Sequence, residues 1–246
     1  RSMKMDWDNV GLNVGRRDKE VKKILVALDP FAHVCQEAKA FGADLLVTHH
    51  VLIFRPGFVT DSSAQGQNTL FLIENGIAHI NAHTNLDLAP GGVNDVLAAR
   101  LGLEDPRIIN PMGMDNQGRE WGLLRCGIVK EQTLEEFLAH VKTVLGCEGL
   151  RYVDGGKPVR KVASGGGSCC DEMQEAVEAG CDTLVTADAK YNDFWDAKDL
   201  GLNLIDAGHF YTENPVTVYL ADQISAAFPE ITVKISESHH DCMKFY

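Results

Sequence analysis

The chain has 246 residues, 45% hydrophobic and 24% charged, enough to bury a core in one large domain or two small ones. Lys and Arg total 23 against 35 Asp and Glu, a formal charge of −12, which disfavours a broad nucleic-acid face or an anionic membrane surface because phosphate contacts need clustered positive charge. No apolar run nears the roughly 18 residues of a bilayer span, and no secretory h-region opens the chain.

Seven cysteines are present, with no C-x-x-C pair, so free thiols in a reducing, cytoplasmic compartment are expected. Arg1-Ser2-Met3 reads as an expression remnant or a processed start and is set aside. Lys23 to Leu28 (KILVAL) is a continuous apolar run, expected as a buried parallel strand. His33 to Phe41 has helical spacing and meets Gly42, a C-cap residue. Asp44 to Thr48 is a second buried strand that runs into His49-His50. Thr69 to Asn75 is expected as a helix, Ile77 to Ala82 as a strand, and Asn94 to Leu101 as a helix after the Pro90-Gly91-Gly92 break. Gly122 to Val129 is expected as a strand, and Thr133 to Glu136 has capping-box spacing for a helix to Leu145. Leu150 to Val153 returns as a strand, and Asn214-Pro215 opens a helix to about Phe228.

Residues 36–50 (QEAKAFGADLLVTHH) and 174–188 (QEAVEAGCDTLVTAD) share eight of 15 positions at an offset of 138. Residues 76–82 (GIAHINA) also resemble 201–207 (GLNLIDA). The alternative is chance likeness of two strand-helix units rich in Ala, Leu, Val and Gly; ungapped identity over so many positions favours duplication. The expected fold is therefore two α/β domains with mixed, largely parallel sheets flanked by helices and related by this repeat. Residues 1–112 with 203–246 are expected to form the metal-binding domain, and 113–202 the second.

In an open parallel sheet, ligands gather beyond the carboxyl ends of strands. There the sequence places His49-His50, then His83-Thr84-Asn85-Leu86-Asp87, then Gly208-His209-Phe210-Tyr211-Thr212-Glu213. Each has a bland alternative: a hydrogen-bonded core histidine, an ordinary loop carboxylate, an acid favoured near a helix N-terminus. His49, His50, His209, Asp87 and Glu213 together exceed one tetrahedral site and suit two divalent ions bridged by carboxylate and water. Zinc, iron, manganese, nickel and cobalt all accept such ligands. His83 is the candidate for proton shuttling, with Asp8 or Asn9 supporting the site from outside. The turn at Gly165–Gly167 either presents backbone N–H groups to a phosphate or allows close helix-on-strand packing. Cys169 and Cys170 are treated as structural, and His239-His240 as surface.

These residues resemble the GTP cyclohydrolase I type 2 homologue family, also called NIF-three-like proteins. The resemblance runs through WDNVGLNVG at 7–15, THHVLIF at 48–54, HTNLDLAPGGVND at 83–95, LVTADAKY at 184–191 and IDAGHFYTENP at 205–215. It implies two α/β domains, a dinuclear centre held by His49, His50, Asp87, His209 and Glu213, and a ring-shaped homohexamer. Two departures stand out: Ala187-Asp188 replaces the usual Gly-Asp, and Asn192 replaces a histidine. An N-terminal helix of relatives is expected either to be missing or to lie outside this sequence. The leading expectation is a metal-dependent hydrolase acting on a nucleotide or another phosphate-bearing small molecule. The rival is a non-enzymatic metal-holding or protein-interaction scaffold. Open coordination positions favour the hydrolase, since structural sites are closed.

Overall fold

The computed structural model describes residues 3–55 and 57–246; Arg1 and Ser2 lie outside them. The chain opens with β1 (Gly11–Val14), β2 (Lys23–Ala27), α1 (Ala32–Phe41), β3 (Leu45–Thr48), α2 (Ala64–Glu74), β4 (Ala78–Asn81) and α3 (Thr84–Leu88). It continues with α4 (Val93–Arg100), β5 (Glu104–Ile108), β6 (Gly113–Met114), β7 (Glu120–Trp121), β8 (Arg125–Gln132), α5 (Leu134–Leu145), β9 (Arg151–Val153) and β10 (Val159–Ser164). A single turn at Cys170–Glu172 leads into α6 (Met173–Glu178), β11 (Thr183–Thr186), α7 (Tyr191–Leu200), β12 (Asn203–Asp206), α8 (His209–Glu213), α9 (Val216–Ala227) and β13 (Thr232–Ile235). Among the described residues no helix is long and apolar enough to cross a membrane.

Two compact units result: residues 1–86 with 216–240, and residues 87–215 with 241–246. The boundaries expected from sequence fall elsewhere, at 112/113 and 202/203. Strand pairing explains the observed division. β5 joins the sheet of the second unit through β8, and β12 joins it through β11 and β9.

The first unit is built on a five-stranded sheet in the order β1-β4-β3-β2-β13. Its strands run parallel except β1, which pairs antiparallel with β4 at one edge. Leu25 and Leu46 pack on one face against Val34 and Ala38 of α1 and Leu72 of α2. Ile24, Val26 and Val47 pack on the other against Ala221, with Leu220 and Ile224 of α9. Burial on both faces is why KILVA and LLVT read as unbroken apolar runs. Each such side chain contributes about 1.5–3 kcal/mol when taken out of water.

The second unit carries a six-stranded sheet in the order β5-β8-β10-β11-β12-β9. Its central three strands are parallel and its outer ones antiparallel. One face holds Phe137 and Val141 of α5 with Leu97 and Leu101 against Val162, Val185 and Ile205. The other holds Met173, Ala176 and Ala197 against Ala163, Leu184 and Leu204. The capping box forms as expected: Glu136 N donates to Thr133 Oγ1 at 3.2 Å and Thr133 N to Glu136 Oε2 at 2.9 Å.

The repeat is expressed in three dimensions. Ile24 pairs with Leu45, and 138 residues on, Val162 pairs with Thr183. Asp44 accepts Lys22 N and Lys23 N; Asp182 accepts Arg160 N and Lys161 N. Lys23 Nζ reaches Phe41 O, and Lys161 Nζ reaches Ala179 O. In each unit a third parallel strand follows, flanked by an antiparallel one: β4 by β1, and β12 by β9.

Several elements differ from expectation. The helix expected at 69–75 starts at Ala64, where Ser63 Oγ accepts Gly66 N at 3.1 Å; its polar first turn hides the start. The strand expected at 122–129 lies at Arg125–Gln132. Gly122 N turns away to Leu88 O, and the ladder with β10 begins where Arg125 meets Ser164. The loops expected at 83–87 and 209–213 carry the short helices α3 and α8.

Candidate metal-binding site

His49 and His50 stand where β3 ends. The ladder holds this corner: His50 N donates to Leu28 O and Ala82 N to Thr48 O, both at 2.9 Å. Thr48 Oγ1 donates to His50 O at 2.6 Å and meets His79 Nε2 at 2.8 Å. This turns the two rings to one side. Their centroids are 4.9 Å apart, with the His83 ring 5.4 and 5.7 Å away.

Each of these rings is oriented by its Nδ1. His49 Nδ1 is 2.8 Å from Ala82 O, His50 Nδ1 2.6 Å from Asp29 Oδ1, and His83 Nδ1 2.8 Å from Asp8 Oδ1. Every partner is an acceptor, so Nδ1 holds the proton and Nε2 the lone pair. One ligand atom from each of His49, His50 and His83 falls within 4.8 Å of the others, so the three could hold a metal ion. A carboxylate or carbonyl behind the imidazole is the usual support of a metal-bound histidine.

The supports are themselves fixed. Asp8 accepts Thr84 N at 3.0 Å and Thr84 Oγ1 at 2.5 Å. Burial works to raise its pKa, but the bonds from His83 and Thr84 outweigh this and hold it below the ordinary value. The Asp29 carboxyl is likewise held far down: burial opposes ionisation, but His239 and His50 overcome it. Burial lowers the pKa of His83, against a raising contribution from Asp8. His83 is therefore kept neutral near pH 7.

In the second unit, His209 lies between two carboxylates. Its Nδ1 is 2.7 Å from Asp188 Oδ2, and its Nε2 is 2.9 Å from Glu213 Oε2. A neutral imidazole has one donor, so two carboxylates call for a shared extra proton or a cation at Nε2. This donor set fits a divalent metal. Asp188 reaches the ring from a backbone at φ +56° and is the repeat counterpart of His50.

The Gly-rich turn closes around these residues. A Cβ on Gly167 would lie 2.3 Å from Glu213 Oε1, and one on Gly166 would lie 3.2 Å from Glu213 Cγ. The turn's N–H groups go to protein acceptors: Gly165 N to Val185 O, Gly166 N to Asn94 Oδ1 and Gly167 N to Thr212 Oγ1. Asn94 Nδ2 in turn donates to Asp87 O at 3.0 Å. The phosphate alternative is thereby corrected, because these glycines serve close packing. Burial and then the charges of Glu172, Asp87 and Glu213 push the Cys169 thiol pKa well up, which disfavours the thiolate. Burial, reinforced by Asp193, pushes the Cys170 thiol up to about 12.

A family model described as Duf34/NIF3 (NGG1p interacting factor 3) matches residues 1–242. The chain belongs to the DUF34/NIF3 family. A GTP cyclohydrolase 1 type 2 homolog of Clostridium perfringens is 38% identical over 226 residues, covering 91% of this chain and 85% of that protein. The Streptomyces coelicolor protein of the same name is 40% identical over 215 residues, covering 85% and 75%. A Staphylococcus aureus hypothetical protein of known crystal structure has a TM-score of 0.92 at 30% identity, covering 100% of this chain and 94% of that one.

This DUF34/NIF3 chain thus carries His49, His50 and His83 in one unit, and Asp87, His209 and Glu213 in the other. His83 and Asp87 are four residues apart at α3; His209 and Glu213 are four apart on α8. The two short helices follow the third parallel strand of each repeat. Sequence reasoning found these six but missed Asp29, His79, Asp188 and Asn94, which orient them or brace the backbone. Asp188 was visible as the repeat partner of His50. His239 needs correction: its side chain is 5% exposed and bonds Asp29 at 2.9 Å, so it is not a surface residue.

Proposed function

We propose that His49, His50, Asp87, His209 and Glu213 hold two divalent metal ions, and that the protein is a metal-dependent hydrolase of a nucleotide or another phosphate-bearing small molecule. The observation that carries this reading is the common orientation of His49, His50 and His83, each with Nδ1 tied to an acceptor, which puts the lone pair of each ring on Nε2. The His209–Glu213 pair supports it independently. Bound metals would polarise the substrate and make a water molecule acidic near neutral pH.

The chain's own groups then bind, orient and move protons. Asp29 and Asp188 fix the rings of His50 and His209. Asp8 sets His83 so that Nε2 accepts a proton from water and returns it to the leaving group, a role worth roughly 10²–10⁴-fold in rate. The Trp7 ring lies 6.0 Å from that of His83 and 5.8 Å from that of Phe54. Both aromatics are largely exposed. They offer an apolar wall to a flat ring, which suits a nucleobase.

A second reading, a metal-holding or protein-interaction scaffold, draws on the same exposed aromatics together with Phe58. The decisive experiment measures metal content of protein prepared without chelator, then screens nucleotides and phosphate esters against the parent, His83→Gln and the His49→Ala, Glu213→Ala double variant. Turnover lost in both variants, with metal retained in His83→Gln, supports the hydrolase. Two ions per chain without turnover would move the assignment to the scaffold. A homohexamer, proposed by likeness to the family, is tested by light scattering.

A further inference from the structure

The first unit holds a second group of histidines outside the site described above. His33, in the first turn of α1, places its Nε2 3.2 Å from His239 Nδ1. The His239 Nε2 faces Asp29 Oδ2 at 2.9 Å. A carboxylate only accepts, so His239 carries its proton on Nε2 and directs the Nδ1 lone pair toward His33. His240 is set the same way: its Nδ1 meets Ser238 O at 2.9 Å, which leaves the lone pair on Nε2.

We propose that His33, His239 and His240 form an accessory site for a borderline divalent ion of the zinc, nickel or copper(II) class, bound by imidazole nitrogens and completed by water.

Two features carry this. First, the spacing is right: tetrahedral zinc with bonds of about 2.0–2.1 Å sets neighbouring nitrogens about 3.3–3.4 Å apart, close to the His33–His239 distance of 3.2 Å. Second, the site is built in advance. Glu37 clamps the chain before the histidines, accepting Ser236 Oγ, Glu237 N, Ser238 N and Ser238 Oγ at 2.6–3.1 Å. The His240 ring lies 6.5 Å from that of His33, and His240 is exposed.

Asp29 gives the site its consequence. One oxygen supports His239 and the other supports His50. The accessory ion and the ligand His50 thus share one outer carboxylate, and the site holds a cation within reach of the same acidic group.

The test uses the full chain stripped of metal and titrated with zinc chloride and, separately, copper(II) chloride. The parent should bind one ion per chain more than the His33→Gln, His240→Gln double variant. The His49→Ala, Glu213→Ala variant should keep that ion, so failure of the proposed hydrolase centre leaves this result readable. With copper(II), broadening of histidine ring signals should centre on residues 33, 239 and 240 in the parent. Equal stoichiometry in the parent and the His33→Gln, His240→Gln variant would overturn the proposal. So would copper broadening that spares His33 and His239.

Discussion

Replacing Gly167 by alanine separates packing strain from damage to the proposed ligand Glu213. Gly167 sits at φ +63°, where an added Cβ would lie 2.3 Å from Glu213 Oε1 and 3.2 Å from His209 Nε2. The carboxylate must retreat by about 0.7 Å to restore a 3.0 Å contact, and metal–ligand distances tolerate only about ±0.2 Å. Glu213 is buried, so the displaced group meets packed neighbours. The left-handed backbone adds roughly 1–2 kcal/mol of strain for an L-residue, equivalent to a drop of about 2–8 °C in Tm for a chain of this size. Gly156→Ala is the matched control: φ is +83°, and a Cβ there meets nothing within 4 Å. In the absence of metal Gly167→Ala should lose at least as much Tm as Gly156→Ala, the excess reporting the clash with Glu213. Only Gly167→Ala should bind zinc or manganese more weakly, by about 10–100-fold, the range seen when a ligand's support is disturbed. Thermal unfolding with and without metal, plus a metal-binding isotherm, reads both effects. If Gly167→Ala binds metal as Gly156→Ala does, Glu213 is not a ligand.

Three further predictions rest on other parts of the molecule. Asp95→Ala strips the carboxylate from Arg125, which is 1% exposed and also donates to Gly122 O; urea unfolding should show a loss toward the low end of about 3–5 kcal/mol, because Asp95 is partly exposed, and a loss under about 1 kcal/mol would contradict the pair's importance. Burial tends to raise the pKa of Glu37, but the bonds from Glu237, Ser236 and Ser238 win and hold it at about 2, against 4.5 as the ordinary value. Its folded pKa is depressed, so its stabilisation is complete above pH 4.5 and is lost as pH falls toward 2; Glu37→Gln should flatten the parent's stability loss over that window in urea melts, and parallel curves would refute it. Asp8→Asn removes the charge that raises the His83 pKa while burial, which lowers it, remains. The metal-free variant should therefore titrate His83 at a lower pH by NMR, and an unchanged or higher value would show that Asp8 does not set this ring.

The central strands were legible because burial on both faces leaves an unbroken apolar run, as in Leu45 to Thr48 and its repeat, Thr183 to Thr186. The capping box at Thr133 and the left-handed Gly42 were legible because their chemistry spans a few residues. The duplication followed from identity alone, and the candidate ligands followed from polar residues placed where those strands stop. Short or edge elements escaped. At five residues, α3 and α8 are too brief to display a helical period. The antiparallel edge strand β1 owes its pairing to β4, some 70 positions along the chain (Gly11 with Asn81).

By itself, then, the sequence determined the repeat, the parallel strands and the identity of six metal-capable side chains, because each is written in local spacing or residue chemistry. Only the tertiary structure decided how those side chains are aimed. Asp29 reaches His239 across 210 positions and Asp8 reaches His83 across 75. The Gly165–Gly167 backbone spends its N–H groups on Val185, Asn94 and Thr212. Such hydrogen bonds depend on strands brought side by side by burial of apolar surface, and residue spacing carries no record of which distant donor meets which acceptor.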